Sequence, residues 1–120
     1  MNKLTLVLGA STKEDRYSNK AIKLLRKHLH DVIAIGRDTG RVADIDIQSE
    51  FPESVKIDTL TLYVNPAVQK QYYERILKCK PSRIIFNPGS ENLELERLAE
   101  NAGIKTEEAC TLVLLNTGQY

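Results

Sequence analysis

One short stretch near the amino terminus gathers the groups that hold a phosphate: Gly9, Ala10, Ser11, Thr12, Lys13, Arg16, Tyr17 and Ser18. Gly9 has no Cβ, so the backbone can turn sharply and an oxyanion can come close. Ser11, Thr12 and Ser18 add hydroxyls, and Lys13 and Arg16 add positive charge. The planar guanidinium fork of Arg16 matches phosphate oxygens two at a time. Tyr17 offers a ring against which a ligand can pack. Ser18 or Asn19 can cap the helix that follows, whose free main-chain N–H groups and positive dipole end then point at the loop. Apolar run, glycine turn and helix start together make an anion site suited to a diphosphate.

The stretch departs from the dinucleotide fingerprint in an informative way. Ala10 and Ser11 follow Gly9 without the second and third glycines of G-x-G-x-x-G. The next apolar run ends in Gly36-Arg37, where an NAD enzyme would place an acid on the ribose hydroxyls. An arginine there suits a phosphorylated ribose, which favours coenzyme A or NADP over NAD. Two further loops, 64–67 and 86–91, follow apolar runs and supply Val64, Asn65 and Pro66, and Asn87, Pro88 and Gly89. His28 and His30 fall at the far end of the first helix and read as cations near its C-terminus. Cys79 reads as a packing residue. No Cys, His or Asp cluster has metal-ligand spacing, and no nucleophile–base–acid arrangement can be read.

The elements that must position these loops follow from periodicity. Leu4–Leu8 and Val32–Ile35 are apolar throughout, as strands buried on both faces must be. Between them Ala21, Ile22, Leu25 and Leu29 share one helical face, with Lys20, Lys23, Arg26 and Lys27 opposite. Val42–Pro52 is irregular, with a short extended piece at Val42, Ile45 and Ile47. A strand over 59–64 leads into a helix from Pro66 to about Cys79, and a strand at 83–86 into a helix closed by Gly103. A weak edge strand at 104–107 and a short helix or strand at 111–115 complete the chain. Alternating strands and helices predict an α/β fold: one domain, 1–120, a Rossmann-like three-layer sandwich with a mostly parallel five-stranded sheet. Ligands of such sheets bind beyond the carboxyl ends of the strands, where all the loops named above lie.

A formal net charge of +1 gives no electrostatic case for nucleic acid. The sequence holds no apolar run long enough to span a membrane, and it leads into its first strand with no signal peptide. With two cysteines, Cys79 and Cys110, a reduced cytoplasmic protein is expected.

The chain resembles the small stand-alone CoA-binding proteins, whose domain is similar to the N-terminal CoA-binding domain of the succinyl-CoA synthetase alpha subunit. The resemblance is carried by Leu8-Gly9-Ala10-Ser11 with Arg16-Tyr17-Ser18, by Val32–Gly36, by Tyr63-Val64-Asn65-Pro66, and by Glu108-Ala109-Cys110-Thr111. It implies that loop 9–18 holds the CoA diphosphate and that Gly36-Arg37 lies near the adenosine 3′-phosphate. Val64-Asn65-Pro66 and Asn87-Pro88-Gly89 would flank the nucleotide and the pantetheine arm, and Tyr17 could pack against either. The Cys110 segment would return toward the ligand edge. The synthetase's phosphohistidine and partner domains have no counterpart in this chain. The resemblance therefore implies a non-catalytic module that holds CoA or an acyl-CoA as carrier, sensor or partner of another protein. The alternatives are an NADP-binding redox protein and an enzyme acting on an acyl-CoA thioester through Cys110.

Overall fold

The computed structural model describes residues 2–120. Seven strands form one sheet: β1 (Thr5–Leu8), β2 (Val32–Ile35), β3 (Gly40–Val42), β4 (Ile45–Gln48), β5 (Thr59–Leu62), β6 (Arg83–Phe86) and β7 (Lys105–Glu108). Their order is β3-β4-β2-β1-β5-β6-β7. All neighbours are parallel except the antiparallel pair β3–β4. Five helices complete the chain: α1 (Tyr17–Lys27), α2 (Pro66–Lys70), α3 (Tyr73–Cys79), α4 (Leu93–Asn101) and α5 (Thr111–Asn116).

The register is level across the sheet. Thr5 stands beside Val32 and Thr59, and Thr59 beside Arg83, so Leu8, Ile35, Leu62 and Phe86 all end at one edge. Alternation along the strands divides the core. Leu6, Leu8, Leu60, Leu62, Ile84 and Phe86 pack with Ile76, Leu95 and Ala99 on the α3–α4 side. Val7 and Ala34 pack with Ile22, Leu25 and Leu115 on the α1–α5 side. The three layers follow, each sheet face covered by the apolar stripe of its helices.

The sheet has seven strands where the sequence predicts five. The difference is in 40–48: the extended piece expected at Val42, Ile45 and Ile47 is present and forms two paired strands, while 49–52 is irregular as expected. Val42 pairs with Ile45 across a two-residue turn, with Ala43 at φ 55°, and β4 then lies parallel beside β2. Asp44 holds the turn to α1: Arg26 Nε and Nη2 donate to its two carboxylate oxygens at 2.9 and 2.8 Å. Such tertiary pairing leaves little trace in a segment broken by Asp44, Asp46 and Ser49. The expected helix over 66–79 is two helices, broken at Gln71-Tyr72, where the Tyr72 ring stacks on Phe51 at 5.5 Å. The segment at 111–115 is helical.

Two expectations about α1 change as well. Arg16, not Ser18 or Asn19, occupies the position before the helix, and it makes no side-chain capping bond. Ser18 and Asn19 lie inside the first turn and are buried. At the other end Leu29 takes the left-handed conformation, φ 65°, that glycine usually supplies. His30 beyond it is not a solvated cation: it is 8% exposed, and its Nδ1 accepts the Lys3 N–H at 2.9 Å.

Candidate functional site

Without the antiparallel β3, the strand order reads β4-β2-β1-β5-β6-β7, and the chain changes direction between β1 and β5. A crevice opens at such a switch point, outside the carboxyl ends of the strands. Gly9 sits at its base with φ 101°. A Cβ on Gly9 would lie 2.9 Å from both the Tyr63 carbonyl oxygen and Val64 Cγ1, so no other residue lets the β1 and β5 loops approach this closely. Gly36 does the same on the other flank, where a Cβ would strike the Ala10 carbonyl oxygen. Arg37 is thereby set next to the first loop.

The amides of Gly9 and Ala10 both donate to Ile35 O at 2.9 Å. They fix the loop and are not bare, contrary to a simple reading of the glycine turn. The free donors come later. The main-chain N–H groups of Ser11 and Thr12, and of Tyr17, Ser18 and Asn19 in the first turn of α1, have no acceptor among the described residues. The loop is held by its own bonds: Lys13 N–H donates to Ser11 Oγ at 3.1 Å, Arg16 N–H to Lys13 O at 3.1 Å, and Asn19 Nδ2 to Ser11 O at 3.0 Å. Open amides, an uncapped helix start and nearby cations are the groups with which a loop can hold an anion. Lys13, Arg16 and Arg37 are exposed and have no ion-pair partner among the described residues, whereas Lys23 pairs with Glu14 and Arg41 with Asp46.

Beside this loop lies an apolar cavity of about 210 Å³ lined by Tyr17, Tyr63, Asn87, Pro88, Cys110 and Leu112. It joins residues from the ends of β5 and β6 to the starts of α1 and α5. Of the expected site residues, Tyr17, Asn87 and Pro88 meet here. Val64 packs against Gly9. Asn65 caps α2, accepting the Val68 N–H at 3.0 Å, with Pro66 in its first turn. Gly89 is exposed and donates its N–H to Glu91 Oε1 at 2.8 Å.

Asn87 is buried, and its amide is fully engaged within the protein. Nδ2 donates to Thr61 Oγ1 at 2.6 Å and to Leu62 O at 2.9 Å, and Oδ1 accepts the Thr111 N–H at 2.8 Å. It therefore shapes the cavity wall and positions its neighbours. A second buried amide does the same one loop away: Gln69 Nε2 donates to Val64 O and Ser90 O at 2.8 and 2.7 Å, and its Oε1 accepts from Asn92 Nδ2 at 2.9 Å. Burial pushes the Tyr63 phenol up to about 12, offset in part by the nearby Thr111 and Thr61 hydroxyls. Those hydroxyls bond to each other at 2.8 Å, and the Tyr63 hydroxyl is left sealed and unpartnered.

Tyr63 and Leu112 were not expected among the binding residues, although Tyr63 opens one of the motifs that carry the resemblance. Tyr63 reads as the penultimate residue of a strand that in fact ends at Leu62, and Leu112 as one more apolar residue of a short element. Position was a further signal: each lies just past a point where the chain arrives at the carboxyl edge. Among the described residues no group of three His, Cys, Asp or Glu could hold a metal, and no helix is long and apolar enough to cross a membrane.

A mostly parallel sheet with helices on both faces and an opening at its switch point is a Rossmann-like α/β domain. A model of the CoA binding domain family matches residues 3–116, and the chain belongs to that family. It is similar over 100% of its length, at 43% identity and a TM-score of 0.95, to an uncharacterized protein of known crystal structure, 99% of which is covered. A conserved hypothetical protein from Pyrococcus furiosus is 25% identical with a TM-score of 0.78, over 94% of this chain and 98% of that one. A Thermus thermophilus protein at 16% identity and a TM-score of 0.86, covering 99% of this chain and 91% of its own, shows the same fold. No curated protein matches the chain. The family match gives no support to NADP.

Proposed function

We propose that the chain binds coenzyme A or an acyl-CoA at the switch point and acts as a non-catalytic carrier, sensor or partner module. The observation that carries this reading is the pairing of open N–H groups at Ser11, Thr12 and the start of α1 with an adjoining apolar cavity. CoA has that composition: a charged diphosphate joined to a slender, mostly apolar arm.

The diphosphate rests on those open N–H groups, with Arg16 and Lys13 balancing its charge. Arg37, brought alongside by the Gly36–Ala10 contact, faces the adenosine 3′-phosphate. Val64-Asn65-Pro66 flanks the nucleotide. The pantetheine arm enters the cavity between Tyr17 and Pro88, and its thiol end approaches Cys110. Cys110 has no base beside it on the cavity wall, where the other residues are tyrosines, Asn87, Pro88 and Leu112. A binding role accordingly fits the wall better than thioester chemistry does.

The experiment is a thermal-shift panel of CoA, dephospho-CoA, acetyl-CoA, NADP and NAD on the whole chain. Ligand at one hundred times its Kd stabilises the folded state by about 2.7 kcal/mol, a readily measured rise in Tm. CoA is expected to shift Tm more than dephospho-CoA, and Arg16→Ala to remove most of the effect. Equal shifts with CoA and dephospho-CoA would remove Arg37 from the site, and no shift with any CoA species would reject the proposal.

A further inference from the structure

Within 9–13, Ser11 and Thr12 keep a main-chain N–H with no acceptor among the described residues, while Gly9 and Ala10 donate to Ile35 O and Lys13 to Ser11 Oγ. Which way the Thr12 N–H points is decided by the peptide unit it belongs to. In a trans peptide the carbonyl and the N–H that follows it point in opposite directions, and none of the described peptide bonds is cis. The Ser11 carbonyl accepts from Asn19 Nδ2 at 3.0 Å, and Asn19 is only 2% exposed. The carbonyl is therefore drawn inward, and the Thr12 N–H of the same unit turns outward to the crevice. Thr12 is held from its other side as well. A Cβ on Gly40 would strike Thr12 Cγ2, so the Thr12 side chain fits against the start of β3 because residue 40 is glycine.

Asn19 makes this tether at the expense of its own oxygen. Its Oδ1 is sealed from solvent and has no hydrogen-bond partner. Turning the amide over would set Oδ1 against the Ser11 carbonyl oxygen, so the orphaned acceptor comes with the tether. A buried acceptor without a partner destabilises the fold. The other buried residues that follow it in α1 are Ala21, Ile22 and Leu25, and packing alone would be served by an apolar residue here too. What Asn19 adds is the donor to Ser11 O.

We propose that Asn19 is a positioning residue for the ligand's diphosphate: it holds the Ser11 carbonyl so that the Thr12 N–H is aimed at the anion before the anion arrives. That role rests on the CoA reading of the switch point and adds to it a residue that acts through another. A donor fixed in advance need not be ordered on binding, and the tether raises affinity in that way.

The test is an amide NMR titration with CoA of the whole chain, as wild type and as two variants. Asn19→Ala removes the amide, and Asn19→Asp keeps its size but cannot donate to Ser11 O. In the wild type the Thr12 N–H is expected to move downfield to saturation together with those of Tyr17 and Ser18. In Asn19→Ala the affinity for CoA should fall about tenfold, the worth of one hydrogen bond to a charged group. Its Thr12 shift at saturation should shrink, while those of Tyr17 and Ser18 persist. Asn19→Asp, whose charge acts on affinity by itself, is read at Thr12 alone and should show the same loss; it carries the test if the alanine variant does not fold. A Thr12 shift of wild-type size in the variants, or unchanged affinity in Asn19→Ala, overturns the proposal. So does a loss at Thr12 matched by equal losses at Tyr17 and Ser18, which would make Asn19 a general support of the helix start. Those outcomes leave the CoA reading standing, whereas no response to CoA at residues 11–19 of the wild type rejects that reading and this role with it.

Discussion

The side-chain carbonyl of Asn87 accepts the main-chain N–H of Thr111 at 2.8 Å, joining the end of β6 to the start of α5. Helix α5 makes no capping bond of its own at Cys110, and Asn87, in the loop just past β6, supplies one to Thr111. The same Asn87 amide donates to Thr61 and Leu62 at the end of β5. One buried group thus sets the mutual placement of three elements whose ends wall the cavity. Buried amides serve this purpose well because each unmade bond is costly, which leaves one arrangement favoured.

Replacing Asn87 with alanine strands the Thr111 N–H and the Leu62 carbonyl in the interior. A loss of about 2–4 kcal/mol is expected, read from the midpoint of urea unfolding with the m-value unchanged. A loss below about 1 kcal/mol would mean that water or a rearranged α5 replaces the amide.

Gly9→Ala and Gly89→Ala separate close approach from backbone conformation. Both glycines have positive φ, 101° and 92°, but only at Gly9 would the methyl carbon meet neighbours, at 2.9 Å; at Gly89 nothing lies within 4 Å. Gly89→Ala should cost about 1 kcal/mol, the conformational penalty alone. Gly9→Ala should cost at least about 2 kcal/mol and spread the β1 and β5 loops. Equal losses would show that the Gly9–Val64 contact yields easily.

Stability should fall as pH drops below 6.5 because of His30. Burial, the largest cause, lowers its pKa from that ordinary value in the folded state. Between the folded value and 6.5 the unfolded chain therefore binds a proton that the folded chain refuses, and stability rises with pH across that window. Above 6.5 both states are neutral at this group and its effect is level. A lower acid limb comes from Asp44, whose carboxyl is held below its ordinary 3.8 chiefly by the hydrogen bond from Arg26; that stabilisation is present above 3.8 and lost as pH falls through the folded value. In His30→Gln the upper limb should vanish and the lower one remain. Urea midpoints measured from pH 3 to 8 decide it, and an unaltered upper limb in the variant would assign it to another group.

How much of this was legible in the sequence depends on the range of the interactions involved. The mainly apolar runs at 4–8, 32–35 and 84–86 are short and bounded by turn residues, as buried strands are, and the Ile22–Leu25 stripe suits a helix covering a sheet, so the layers and parallel order follow from local pattern. Gly9, Gly36 and the loops at the carboxyl edge follow from that order. The β3–β4 hairpin was legible only as an extended piece at Val42, Ile45 and Ile47, because its turn is held by Arg26 from another element and its strands carry few apolar residues. The cap on α1 was misplaced for a related reason: Ser18 and Asn19 have capping chemistry, but tertiary packing buries both. The role of Asn87 was half visible, since its place beside the cavity follows from position while its three internal bonds depend on Thr61, Leu62 and Thr111 folding around it.

Tyr63→Phe should leave stability unchanged or raise it by up to about 1 kcal/mol. The phenol is sealed from solvent without a partner, and removing an unsatisfied buried hydroxyl relieves a desolvation penalty. A loss above about 1 kcal/mol would show that the hydroxyl shares the Thr61–Thr111 pair after all.

The central claim is that a CoA diphosphate rests on the open amides of Ser11 and Thr12 and the first turn of α1, and the most direct measurement is an amide NMR titration of the whole chain with CoA. The account predicts large, saturable downfield shifts of the Ser11, Thr12, Tyr17, Ser18 and Asn19 N–H signals, with Gly9 and Ala10, already bonded to Ile35, moving little. Shifts centred on another part of the chain, or on Gly9 and Ala10 in place of the later amides, would contradict it.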